Sequence, residues 1–144
     1  MGENVSVIIP AFNEQSGILQ TLAGLKGIES IKEIIVVDDG STDSTYQLLE
    51  PLKGITLLHI EHNRGKGNAV RYALKYANNS LVALLDADLC ESTSEIQKLI
   101  EHIRPGKKAI IIGRLTSERK NGGFGIVKRV SAIGFQALTS RRVD

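Results

Sequence analysis

The sequence predicts an α/β fold built on a doubly wound, mostly parallel sheet. Three observations predict it. Short apolar runs rich in Val and Ile alternate with stretches whose apolar residues recur at helical spacing. The first run is almost wholly apolar, as strands covered on both faces are. The unusual polar residues gather just after the runs, where open parallel sheets bind their ligands.

Each element follows in order. Val5 to Pro10 (VSVIIP) is the first predicted strand, closed by Pro10. Ala11-Phe12-Asn13-Glu14 is a turn, and Ile18, Leu19, Leu22 and Leu25 predict a helix from Glu14 to Lys26. Ile31 to Asp39 is the second strand, ending in two acids. Gly40 to Asp43 is a loop in which Ser41 or Thr42 is placed to cap a helix from Asp43 to Leu52. Ile55 to Ile60 is the third strand. A polar loop, His62 to Asn68, leads into a helix from Asn68 to Tyr76. Leu81 to Asp86 is the fourth strand. Ser92 or Thr93 opens a helix to Ile103, which Pro105-Gly106 breaks. Lys108 to Gly113 is the fifth strand, and Phe124, Val127, Val130 and Ile133 mark a last helix from Phe124 to Leu138. Strands separated by such helices form right-handed βαβ units.

Composition bounds the class. With 144 residues, 42% hydrophobic and 24% charged, the chain is expected to form one domain, 1–144, with a real core. No apolar run reaches the roughly 18 residues that span a bilayer. The N-terminus shows no basic region followed by an apolar one, so no secretory leader is expected. Cys90 is the single cysteine, which excludes an internal disulfide and fits a reducing compartment. A cytoplasmic location is therefore expected. The net charge is +2, but from Arg104 onward ten Lys or Arg residues face only Glu118 and Asp144. That tail suits phosphate, an anionic membrane surface, or water alone. Nucleic acid is not an expected partner.

The chemistry centres on Leu84-Leu85-Asp86-Ala87-Asp88-Leu89. On a strand, alternate side chains share a face, so Asp86 and Asp88 are expected to point together with small Ala87 between them. Two aligned carboxylates suit a divalent cation that also grips phosphate oxygens. Taken alone they are equally well a pair of solvated acids closing a strand. Asn13, Glu14, Asp38, Asp39 and Arg114 also follow predicted strands, and that convergence favours a site. Pro10 to Glu14 stands where a dinucleotide fold would carry G-x-G-x-x-G. Gly65-Lys66-Gly67 lacks the spacing and the Lys-Ser/Thr pair of a Walker A loop, and reads either as a phosphate contact or as a tight turn with a solvated lysine. A haloacid-dehalogenase phosphatase carries its D-x-D on the first strand, whereas this one follows the fourth.

Four segments in order, Val7-Ile8-Ile9-Pro10-Ala11-Phe12-Asn13-Glu14, Val37-Asp38-Asp39-Gly40-Ser41-Thr42-Asp43, Asn63-Arg64-Gly65-Lys66-Gly67-Asn68-Ala69 and Asp86-Ala87-Asp88, resemble the signatures of family 2 of the GT-A-fold glycosyltransferases. Gly113-Arg114 with Lys128-Arg129 makes the chain most similar to the polyprenol-phosphate sugar transferases of the dolichyl-phosphate mannose synthase type. The resemblance covers Val5 to Arg114. It implies a Rossmann-like GT-A sheet and inverting, metal-dependent transfer of a sugar from a UDP- or GDP-sugar to an acceptor such as a polyprenyl phosphate. It implies that Pro10, Ala11, Phe12, Glu14, Asp38, Asp39 and Lys66 line the nucleotide site, and that Asp86 and Asp88 hold Mg²⁺ or Mn²⁺ with the donor diphosphate. Arg114 and Arg129 would join Asp86 and Asp88 in catalysis by clamping a phosphate, as guanidinium geometry allows; both also suit plain surface solubility.

The chain departs from the family pattern at Cys90, a soft neighbour for a hard cation, and at Glu91-Ser92-Thr93-Ser94, where a proline-containing continuation is usual. Family members also carry a further segment that completes the acceptor site, and this chain stops near where it should begin. The expected consequences are an incomplete C-terminal side of the sheet, self-association through uncovered apolar surface, and contact with the cytoplasmic face of a membrane through the basic tail. Two further readings stay open. One is a sugar-phosphate nucleotidyltransferase, which would want a basic glycine-rich loop after the first strand. The other is a non-catalytic nucleotide-sugar-binding module.

Overall fold

The computed structural model of the chain describes residues 4–90, 93 and 95–101. Within them lie strands β1 (Val5–Ala11), β2 (Ile31–Asp39), β3 (Thr56–Ile60) and β4 (Leu81–Leu84) and helices α1 (Ile18–Leu25), α2 (Thr45–Leu49), α3 (Lys66–Ala73) and α4 (Glu95–Glu101). The predicted fifth strand, the predicted last helix, Arg114 and Arg129 fall outside the described residues.

The four strands form one parallel sheet in the order β3-β2-β1-β4. Alternation along each strand divides the core in two. Val5, Val7, Ile9 and Ala11 of β1 and Val36 of β2 meet Ile18, Leu22 and Leu25 of α1, Leu49 of α2 and Ile96 of α4. Ile8, Ile35 and Val37 point the other way and meet Ala69 and Ala73 of α3. Small alanines let α3 lie close against the sheet. Helices thus cover both faces, and the near-continuous apolar run of β1 is buried on both, with Val5, Val7, Ile8 and Ile9 fully enclosed.

The sheet begins with an irregularity. Val5 pairs with Ile31 but Ser6 pairs with Glu33, so Lys32 is the extra residue of a bulge. The bulge sets Glu33 beside Ser6, whose hydroxyl donates to Glu33 Oε2 at 2.5 Å. The backbone and side-chain amides of Asn78 add donors to the same carboxylate at 2.9 and 2.6 Å.

Several predicted elements change their bounds, three of them for reasons that bear on the loops. The first helix begins at Ile18, not Glu14, because Asn13 takes a left-handed backbone (φ 56°) and a turn intervenes. The second stops at Leu49, where Leu52 N bonds to Leu49 O as the chain tightens around Pro51, which has no N–H to continue the ladder. The fourth strand ends at Leu84, with Leu85 N still bonded to Ile8 O. Asp86 and Asp88 therefore lie past the strand, and strand alternation does not set their direction.

Candidate functional site

The carboxyl ends of β1, β2 and β4 release three loops side by side. The first two are bound to each other. Asn13 N donates to Ser41 Oγ at 3.0 Å, and Asn13 Oδ1 accepts from Thr42 N at 2.8 Å. Glu14 N donates to Thr45 Oγ1 at 2.8 Å, and Ser44 N to Gln15 Oε1 at 3.0 Å. Neither Ser41 nor Thr42 caps α2. The cap position is Ser44, which makes no side-chain cap bond; Asp43 just before it accepts the amide and the hydroxyl of Thr45 at Oδ1, at 2.8 and 2.5 Å. Burial alone would raise the Asp43 carboxyl, but the bonds from Thr45 and Gln15 outweigh it and hold the group below its ordinary value. Much of the second signature is thus architecture for the loops.

Gly40 completes this arrangement. Its φ is 71°, and a Cβ there would stand 2.5 Å from Asn63 N of the loop after β3. Only glycine allows both the turn and that approach.

The two acids that close β2 face opposite sides. Asp39 is buried, and its Oδ1 accepts Arg64 N at 2.9 Å. Asp38 is fully buried. Its Oδ2 lies 2.8 Å from His59 Nδ1, and its Oδ1 has no hydrogen-bond partner among the described residues. A carboxylate accepts, so Nδ1 carries the proton. Tyr46 packs edge-on against the His59 ring at 4.7 Å. His59 belongs to no motif and sequence reading missed it. The available signal was register, since Asp38 and His59 are neighbours across parallel strands.

The third loop carries Asp86 and Asp88. Lys66, at the start of α3, forms an ion pair with Asp86 across about half-exposed side chains. Glu14 is held above the ordinary carboxylate range, first by burial and then by the charges of Asp88, Asp86 and Asp43, with Lys66 partly offsetting them. Lys66 and Asp86 are thus in contact, and Glu14 lies within electrostatic reach of both and of Asp88. Pro10 and Ala11 sit at the end of β1 beside Val37 and Asp38, and Phe12 is 43% exposed at the loop's start. Among the described residues no group of three or more His, Cys, Asp or Glu side chains is arranged to hold a metal alone. The donor set instead fits a hard cation shared with ligand oxygens: hard carboxylates, too few to enclose an ion, with surplus negative charge. Cys90, after this loop, has a left-handed backbone (φ 48°), and its sulfur lies 4.0 Å from Gly17 O. Among the described residues no helix is long and apolar enough to cross a membrane.

Comparison with known proteins bears on this geometry. Over 131 residues the chain is 34% identical to the undecaprenyl-phosphate 4-deoxy-4-formamido-L-arabinose transferase of Pectobacterium carotovorum, covering 85% of this chain and 39% of that protein. The chain thus spans about two fifths of the length of that relative. Among solved structures it is similar to Staphylococcus aureus TarS in complex with UDP, with 30% identity and a TM-score of 0.56 over 68% of this chain and 32% of that one. It is also similar to the mannosyltransferase PcManGT of Pyrobaculum calidifontis in complex with GDP-Man and Mn²⁺, with 27% identity and a TM-score of 0.57 over 69% of this chain and 33% of that one. These likenesses bear out the Rossmann-like GT-A sheet expected from the sequence. Residues 6–142 match the family described as Glycosyl transferase family 2, and the chain belongs to that family.

Proposed function

We propose that this chain carries the donor site of an inverting, metal-dependent glycosyltransferase that passes a sugar from a UDP- or GDP-sugar to a polyprenyl phosphate. The observation that carries the reading is the Lys66–Asp86 pair at the carboxyl end of a parallel sheet, within electrostatic reach of Glu14, with Asp38 Oδ1 a buried acceptor that has no partner among the described residues. Support for the donor class comes from relatives whose structures hold UDP or GDP-Man. Support for the acceptor comes from relatives named for undecaprenyl phosphate.

Each group has a task the physics favours. Asp86 and Asp88 would hold Mg²⁺ or Mn²⁺ together with the donor diphosphate, and that cation supplies neutralisation of the charge that grows on the leaving diphosphate. Lys66 would exchange its ion pair with Asp86 for a phosphate oxygen. Asp38 Oδ1 would accept an N–H from the base or a ribose hydroxyl, and Pro10, Ala11, Phe12 and Asp39 would shape the nucleoside pocket. Arg114 and Arg129 would pair with phosphate. An anionic acceptor attacks without a general base, so none need be sought in this chain. Contact with a membrane surface through the basic tail, and self-association, belong to the same reading.

Calorimetric titration of UDP and of GDP, each with and without Mn²⁺, tests it. One nucleotide should bind in a metal-dependent manner, and Asp86→Ala or Asp88→Ala should remove the metal-dependent part. Binding of neither nucleotide by folded protein would overturn the reading.

A further inference from the structure

We infer that Thr21, a residue of α1, is a positioning residue for the loop that carries Asp86 and Asp88; the inference rests on the donor-site reading above. Thr21 is fully buried, on the side of α1 where Ile18, Leu22 and Leu25 pack against the sheet. A hydroxyl in such surroundings must find partners or destabilise the fold. It finds both on one loop. Thr21 Oγ1 donates to Ala87 O at 2.7 Å and accepts Cys90 N at 2.9 Å. One donor and one acceptor are thereby used, and both partners lie more than sixty residues away in the chain.

The choice of partners gives the contact its meaning. The Ala87 carbonyl belongs to the peptide that joins Ala87 to Asp88, so the bond orients the link between the two acids. The sheet cannot do this, because β4 ends at Leu84 and the last bond to β1 is made by Leu85 N. Cys90, the other partner, holds a left-handed backbone that a non-glycine residue adopts only when its surroundings impose it. A second buried threonine holds its other side: Thr93 Oγ1 donates to Cys90 O at 2.9 Å. The helix is pressed against this loop. A Cβ at Gly24, one turn from Thr21, would stand 1.9 Å from Thr93 Oγ1, and one at Gly17 would stand 3.4 Å from Asp88 Cα. Helix α1 is therefore the surface on which the acidic loop is set, and Thr21 is its polar anchor.

Groups that orient a metal's ligands act on metal affinity rather than on folding alone. The full chain should be compared with Thr21→Val and Thr21→Ser. Mn²⁺ binding would be followed by the spin resonance of the free ion in the presence of the nucleotide the chain prefers. Nucleotide affinity without metal would be measured in parallel. Thr21→Val keeps the shape and loses the hydroxyl. It should raise the Mn²⁺ concentration for half-saturation about tenfold and leave metal-free nucleotide affinity within about twofold. Thr21→Ser, which keeps the hydroxyl, should stay within about threefold of the parent for Mn²⁺. If Thr21→Val melts below the assay temperature, Thr93→Val replaces it, with an expected shift of about threefold in the same direction. Equal loss of metal and metal-free nucleotide binding, or no shift in Mn²⁺ affinity from a folded variant, overturns the positioning role. A parent chain with no metal-dependent nucleotide binding overturns the donor-site reading, and this inference with it.

Discussion

The two ends of the parallel sheet use the same kind of side chain in opposite ways. At the amino end, Glu33 receives hydrogen bonds from Ser6 and twice from Asn78. Burial alone would raise its pKa, but those donors outweigh burial and hold it below the ordinary value. At the carboxyl end, Glu14 is held above the ordinary value by burial and by Asp88, Asp86 and Asp43. Burial pushes both glutamates upward, and Glu14 is the more deeply buried of the two. The partners then differ: neutral donors pull Glu33 down at one end, and like charges push Glu14 further up at the other. An acid that serves architecture is satisfied within the protein, whereas Glu14 stands among like charges that Lys66 offsets only in part. An open cleft beside Lys32, Glu33, Gly54 and Asn78 lies at the amino end. Its acid and amide already bond each other, whereas the donor site proposed above lies at the carboxyl end.

Four measurements sharpen or break this contrast. Asp88→Asn should weaken Mn²⁺-dependent nucleotide binding by about 10- to 100-fold, while Glu33→Gln leaves it unchanged. Loss of binding from both variants would erase the distinction between the ends. Gly40→Ala, which forces a methyl group against Asn63 N at a left-handed φ, should cost about 2–4 kcal/mol in denaturant unfolding. The same change at Gly54, also left-handed but with open space around it, should cost only about 1 kcal/mol. Glu33→Gln should cost about 1 kcal/mol at pH 7, the charge-assisted bonds being discounted for partial exposure. Because the folded pKa of Glu33 lies below the unfolded one, that contribution is complete above about pH 4.5 and fades as pH falls through the folded value. Glu14→Gln has the reverse sign. Its folded pKa lies above the unfolded one, so the charged form opposes folding as pH rises. Its removal should add about 0.3 kcal/mol at pH 7 without metal, and nothing in acid. Parallel unfolding curves from pH 3 to 8 check both signs.

Much of the fold was legible because period and composition agreed. VSVIIP and IKEIIVVDD read as parallel strands, and both are, the first buried almost throughout and the second from Ile35 on. The candidate site was legible only as a convergence of strand ends. What could not be read were the contacts between loops. Nothing local in Ser41 or Asp43 says that the first will receive Asn13 N and the second will accept Thr45 N at the start of α2. Helix α3 begins at Lys66, two residues before the predicted start, because Gly65 at φ 87° lets the chain turn straight into it. Thr21 left one trace. It stands three residues after Ile18, on the apolar stripe, where a polar residue is out of place unless it has buried partners. His59 left none without knowledge of strand register.

The strand order has a consequence for how the chain is made. β1 lies between β2 and β4, and β4 follows it by some seventy residues. During synthesis β2 emerges soon after β1 and can cover one of its edges. The other edge, on a strand apolar but for Ser6, waits until Leu84 has left the ribosome. An uncovered, largely apolar edge is a template for pairing with a neighbouring chain. The acidic loop follows β4 directly, so Thr21 meets its partners only once that edge has closed. Among the described strands, the last pairing to become possible thus also closes that exposed edge, and a ligand that binds the acidic loop acts on a nascent chain only after that point.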